Sequence, residues 1–178
     1  MIVDFKDFRQ INMLIDQEKN IVIFPLSKCK KPVELADGTV ETGAYLTAYY
    51  PIEVSYPYTA EVLAEKIKYG IEQWDIHECH FDSADKNIFE EKYYGVKGFT
   101  KATKGKRYVS LGWNSLQAKF VELMLPWKSR SSTYMIADTT KLPDDADWID
   151  FANAVIKYVD MDITQTKLYK HNKNKLNL

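Results

Sequence analysis

Cysteine is almost absent from this chain of 178 residues, with two in all, histidine is scarcely commoner, with three, and long apolar runs are missing altogether. The two thiols, Cys29 and Cys79, stand in unrelated contexts, and no charged, apolar and small-residue leader pattern opens "MIVDFKDF". Together these speak against a secreted disulfide scaffold and for a reducing cytoplasm. The longest apolar runs, such as "IVIF" and "LML", fall far short of the roughly 20 residues a membrane-spanning helix requires, so no membrane partner is expected. Signatures of chemistry are missing too. There is no G-x-S-x-G elbow and no cysteine with a local catalytic signature. Gly98 and Gly105 are too far apart for a phosphate loop, and Arg107 stands where Ser or Thr would hold magnesium. His77, Cys79 and His80 in "HECH" are zinc-binding types, but no second Cys or His pair completes four ligands. The expectation is a helix exit with a buried cysteine and exposed histidines, and no metal, cofactor or small-molecule substrate.

What is present is a globular composition. Hydrophobic content of 46% and aromatic content of 13% allow enough apolar burial to offset the entropy of ordering the chain, and the length suits one domain, residues 1–178. A formal charge of −1 hides a strong segregation. From Lys86 to Arg130 there are ten cations against three anions, and from Lys167 onward four lysines and no carboxylate. The rest of the chain keeps 10 cations and 22 anions and is distinctly acidic.

Periodicity sketches an α/β domain. Phe5, Phe8, Ile11, Met13 and Leu14 suggest a short amino-terminal helix, and "NIVIFPL" a strand stopped by Pro25, which lacks an amide proton. Asp37 and Gly38 turn into a second strand, "TVETGAYLTAYY", closed by Pro51. "YPYTAEVLAEKIKYGIEQW" reads as a helix capped by Thr59, with Leu63, Ile67, Ile71 and Trp74 on one stripe and Gly70 permitting close approach to the sheet. "EEKYYGVKGF", "KRYVSLGW", "KFVELMLPW" and "STYMIAD" read as strands of a mostly antiparallel meander. Pro143, Asp144, Asp145 and Asp147 mark the start of a second helix over "WIDFANAVIKYV", and a short basic tail from about residue 167 reads as loosely held.

Without catalytic residues, the chemistry left is binding, and it centres on "GFTKATKGKRYVSLGW". Lys101, Lys104, Lys106 and Arg107, interleaved with Tyr93, Tyr94, Phe99, Tyr108 and Trp113, suit a single-stranded nucleic acid. They equally suit a protein partner reached by edge strands, aromatic anchors and a charged rim, or a solvated edge that resists unwanted pairing. For a protein partner the expected contacts are Glu90, Glu91, Tyr93, Tyr94, Lys97, Phe99, Lys106 and Trp127, Trp127 because it adjoins the polar loop "KSRSST".

In their order along the chain, "FPLSKCKKPVEL" with "DGTVETGAYL", "YPYTAEVLAEKIKYGIEQW", "FEEKYYGVKGFTKATKGKRYVSLGW" and "LPDDADWIDFANAVI" resemble the immunity proteins of bacterial contact-dependent growth inhibition systems. The resemblance implies an α/β fold with a central sheet related to single-stranded DNA-binding Whirly proteins, and a cytoplasmic inhibitor with no turnover. Its partner would be the C-terminal domain of a cognate toxin, typically a nuclease, and some members accept a toxin hairpin that extends a sheet. Nuclease domains are usually basic, so the lysine-rich centre points the toxin toward the acidic part of the surface, toward backbone pairing, or toward a locally acidic toxin element.

Overall fold

A computed structural model describes residues 8–34, 38–79, 89–114, 118–126 and 134–176. In chain order the strands are β1 (Arg9–Ile15), β2 (Ile21–Lys28), β3 (Val33–Glu34), β4 (Val40–Glu41), β5 (Tyr45–Thr47) and β6 (Ile52–Val54), followed by helices α1 (Ala60–Glu72), α2 (Phe89–Tyr94) and α3 (Phe99–Thr103). Strands β7 (Arg107–Asn114), β8 (Ala118–Pro126) and β9 (Tyr134–Leu142) lead to α4 (Trp148–Asp160) and α5 (Lys167–Asn172). The main sheet runs β5-β2-β1-β7-β8-β9, with β6 also on β2, and every pairing in it is antiparallel. This is the α/β architecture of a mostly antiparallel sheet flanked by helices that the sequence predicts.

Alternation assigns the two faces of this sheet. Ile11, Met13, Ile15, Ile21, Ile23, Val109, Leu111, Val121 and Leu123 point to one face and form the core with α1 and α4. Helix α1 is started by Thr59, whose hydroxyl accepts from Val62 N, and buries Leu63, Ile67 and Ile71, while Trp74 lies half-buried in the turn beyond its end. Gly70 does allow the close approach expected of it, because a Cβ there would stand 3.0 Å from Ile23 Cγ2. Helix α4 starts with a capping box in which Asp147 accepts from Ile149 N and Asp150 N while Asp150 accepts from Asp147 N. At its other end Arg107 donates to the carbonyls of Tyr158 and Met161, where a cation is favoured by the helix dipole.

Several expectations are overturned. From Arg9 onward the amino-terminal segment is strand β1, not a helix, because it lies among the central strands and is covered on both faces, while Phe5 lies outside the described residues. Met13 and Leu14 are both buried, so its pattern is not a clean alternation. Strand β2 runs through Pro25, which sits where its outer neighbour changes from β6 to β5, and the Pro25 carbonyl accepts from Ala48 N. "EEKYYGVKGF" is not a strand but α2 and the approach to α3, since Glu90, Tyr93 and Tyr94 recur at one helix face and Gly95 and Gly98, at φ +64° and +101°, end and restart the helix. The basic tail is ordered through α5, and Leu176 is 1% exposed. Cys29 and Cys79, expected as free thiols, form a disulfide with Cα atoms 5.2 Å apart.

Gly112 is required by strand packing. It faces Gln10 across the β1-β7 pair, and a Cβ there would stand 2.5 Å from the Arg9 carbonyl oxygen. Gly112→Ala therefore forces the two central strands apart, and urea unfolding should register a loss of about 1–3 kcal/mol.

Candidate partner-binding surfaces

The residues expected at a partner contact gather mainly on the second face of the sheet, where α2 lies over Leu14, Val22 and Phe24 with Tyr93, Tyr94 and Tyr108 packed against them. Glu90 and Glu91, expected to meet a basic partner, are instead buried in α2, Glu90 being 4% exposed. The Glu90 carboxylate accepts from the Thr47 hydroxyl at 3.4 Å. Tyr93 donates to the Glu53 carboxylate and meets Tyr94 edge to face at 4.7 Å. Lys106 spans 4.1 Å to the Tyr94 ring and donates to the Ala102 carbonyl, tying the end of α3 to the cover. Lys97, Lys101 and Lys104 are exposed, Phe99 opens α3, and Trp127 lies outside the described residues. Of the four central cations, Lys106 and Arg107 thus act within the fold.

Burial raises the Glu90 carboxyl above the usual carboxylate range, the Thr47 hydroxyl opposes this, and the neighbouring Glu91 adds to it. A group whose folded value is raised favours folding when protonated, so its contribution is fully present below its unfolded value and is lost as pH rises through the folded one. Glu90→Gln is expected to stabilise the protein at neutral pH and to flatten the rise in stability seen as the wild type is acidified toward pH 5. Urea midpoints measured at pH 5 and pH 7 check both.

A second arrangement was not expected as a site. The first turns of α1 and the start of α4 frame a groove of about 250 Å³ lined by Glu61, Ala64, Glu65, Lys68, Asp147, Trp148 and Ile149. Its rim is acidic, and exposed Asp144, Asp145 and Asp150 continue the charge along the turn into α4. The Glu61 carboxyl is held below its usual range by the Thr59 hydroxyl, so it is firmly ionised. Beneath the rim, Lys119 of β8 is fully buried, and its Nζ donates to the carbonyls of Asp144 at 2.7 Å and Ala146 at 2.8 Å. That ammonium fixes the turn from which Asp147 caps α4. In the sequence Asp144, Asp145 and Asp147 mark only a helix start, and Glu61 and Glu65 are only two of the polar residues of α1. Their adjacency needs residues some 85 positions apart to meet, and no local signal announces that.

The third arrangement is aromatic and lies where α1 ends beside β5. Tyr45 stacks on Trp74 at 4.9 Å with the Arg9 guanidinium 5.8 Å from the Trp74 ring, and Tyr50 stacks on His77 at 3.9 Å while meeting the Tyr69 hydroxyl at 2.6 Å. Tyr49 and Ile76 are exposed nearby in sequence, Ile76 at 63%. The density of tyrosine in "YLTAYYPIEVSYPY" was the available clue. His77 is thus engaged by Tyr50 and by Gln73 at 2.8 Å, and no group of three or more metal-binding side chains occurs among the described residues. His80 lies outside them.

No protein-family model and no curated protein matches the chain. Among solved structures, a protein of unknown function from Neisseria meningitidis is similar at a TM-score of 0.55 and 13% identity, over 90% of this chain and 98% of that one. The likeness establishes the shared fold and extends over nearly all of both chains.

Proposed function

We propose that this chain is an immunity protein that neutralises the C-terminal toxin domain of a contact-dependent growth inhibition effector, of the nuclease class, by forming a tight stoichiometric complex. The observation that supports it best is the acidic rim around the α1-α4 groove, in a chain whose lysine-rich centre gave no obvious home to a basic partner. A nuclease surface that binds phosphates is basic, and an acidic rim steers it into contact while the apolar floor of Ala64, Trp148 and Ile149 supplies area to bury. In this reading the protein occupies the toxin and transforms nothing. Protection inside a cell demands nanomolar affinity, about −12 kcal/mol.

A cytoplasmic location belongs to the same proposal, and no helix among the described residues is long and apolar enough to cross a membrane. The rival, a single-stranded nucleic-acid binder, needs rings free to stack on bases, whereas Trp113 is buried against Trp148 and Phe151, and Tyr108 packs into the cluster under α2. Calorimetric titration separates the two. The immunity reading expects a 1:1 complex of nanomolar affinity with the toxin domain encoded beside this protein, and survival of cells that co-express the pair. It is overturned if the toxin is ignored while oligonucleotides bind with an affinity that falls steeply as salt rises.

A further inference from the structure

We infer that Cys29 and Cys79 form a redox-controlled latch that fixes or frees His77 on the aromatic surface at the end of α1. The inference is independent of the toxin reading. The bond closes a sequence separation of 50 residues and ties the end of β2 to the turn that follows α1. Up to Asp75 that turn is well held without it, because Asp75 N donates to the Leu26 carbonyl and Lys28 N donates to the Asp75 carboxylate, both at 2.8 Å. Asp75 itself sits at φ +60°, a left-handed conformation that such ties must maintain. Beyond it the support thins. Ile76 is exposed, Glu78 meets Lys30 in an ion pair whose two side chains are largely in water, and His77 rests on Tyr50 and Gln73. An exposed pair of that kind holds little. The disulfide is therefore the main tie keeping residues 76–79 against the sheet.

The two sulfurs differ in access, since Cys29 is 5% exposed and Cys79 is half-buried. Oxidation by a small-molecule disulfide such as glutathione disulfide begins when the Cys79 thiolate, its proton lost to solvent, attacks one sulfur of the oxidant and releases one thiol. The Cys29 thiolate then attacks Cys79 Sγ in the mixed disulfide and releases the second thiol. Two protein thiols lose two protons and two electrons, and one oxidant disulfide becomes two thiols. A dithiol reductant reverses the steps. Under reducing conditions the dithiol form prevails and His77 leaves Tyr50, and under oxidising conditions the latch closes.

The test equilibrates the full chain across graded ratios of reduced to oxidised glutathione, traps thiols by alkylation and weighs the products. The expected result is one transition between the dithiol and the intramolecular disulfide. The thermal midpoint should be about 10 °C lower for the reduced form, and the His77 imidazole resonances should shift. The Cys29→Ser variant should expose Cys79 to alkylation at least about tenfold faster than Cys79→Ser exposes Cys29, as their burial requires. Cys29→Ser/Cys79→Ser should lose the redox response of His77, and if that variant does not fold, the wild-type spectra decide alone. Thiols that stay free in fully oxidised buffer, a bond that resists every glutathione ratio, or identical His77 resonances in the two forms each overturn the latch.

Discussion

Lys119→Ala should lower the unfolding free energy by about 3–5 kcal/mol, the largest effect of any single substitution considered for this protein. The side chain is 0% exposed, and its ammonium donates to two backbone carbonyls, those of Asp144 and Ala146. Charge-assisted bonds of this kind contribute about 1.5–3 kcal/mol each, and truncation leaves both acceptors short of a donor. Burial pulls the Lys119 ammonium below its ordinary range, while the carboxylates of Asp144, Asp145, Asp150 and Asp147 push it back up, so the charge is retained by the acidic turn it supports. Lys119→Met keeps the packing of the aliphatic stem and removes only the donors. It should lose about 2–3 kcal/mol, and the difference between the two variants measures the packing share. Urea unfolding provides both numbers. A loss under about 1 kcal/mol in both variants would show that the turn into α4 is held by its own capping box instead.

Reversing two charges on the groove, Glu61→Lys with Glu65→Lys, should weaken the complex with the cognate toxin about 100-fold, chiefly by slowing association. Both side chains are exposed on α1 and lie outside the core, so the reversed variant should still fold, as its circular dichroism will check. Raising salt should weaken the wild-type complex and leave the reversed variant nearly insensitive, because the rim charges responsible for steering are gone. Reversal of the exposed Lys101 and Lys104 is the control and should change affinity less than about threefold. Surface plasmon resonance at two ionic strengths reads all of these. If the lysine control weakens binding while the groove variant does not, the toxin docks on the α3 side and the groove is not the contact. The two sets of variants are also linked, because loss of the Lys119 tether loosens the turn bearing Asp147 and should slow association even at temperatures where the fold survives.

How far the fold could be read in advance depended on how each element is covered. Helices α1 and α4 each bury one face and expose the other over 13 residues, so Leu63, Ile67 and Ile71, or Phe151, Ala152 and Val155, recur often enough to declare a period. The β7-β8-β9 meander was likewise legible from short connections and β-branched runs. Strand β1 was misread because burial on both faces erases alternation, leaving Met13-Leu14-Ile15 as an apolar run that suits either structure. Helix α2, with six residues, spans less than two turns, too little to outweigh the β-propensity of Tyr93 and Tyr94. The disulfide was missed because spacing in sequence says nothing about Cα separation.

By itself the sequence determined the fold class, the two long helices with the cap of the first, the segregation of charge along the chain and the lack of recognisable catalytic motifs, since each is a property of composition or of neighbours close in the chain. Only the tertiary structure decided that Glu90 and Glu91 turn inward, that Lys106 and Arg107 serve the fold, that Cys29 meets Cys79, and that the acidic starts of α1 and α4 share one groove. The physical reason is common to all four. A side chain's role is set by what packs against it, and long-range packing is fixed by how the buried faces of the whole sheet are satisfied, not by the residues on either side in the chain.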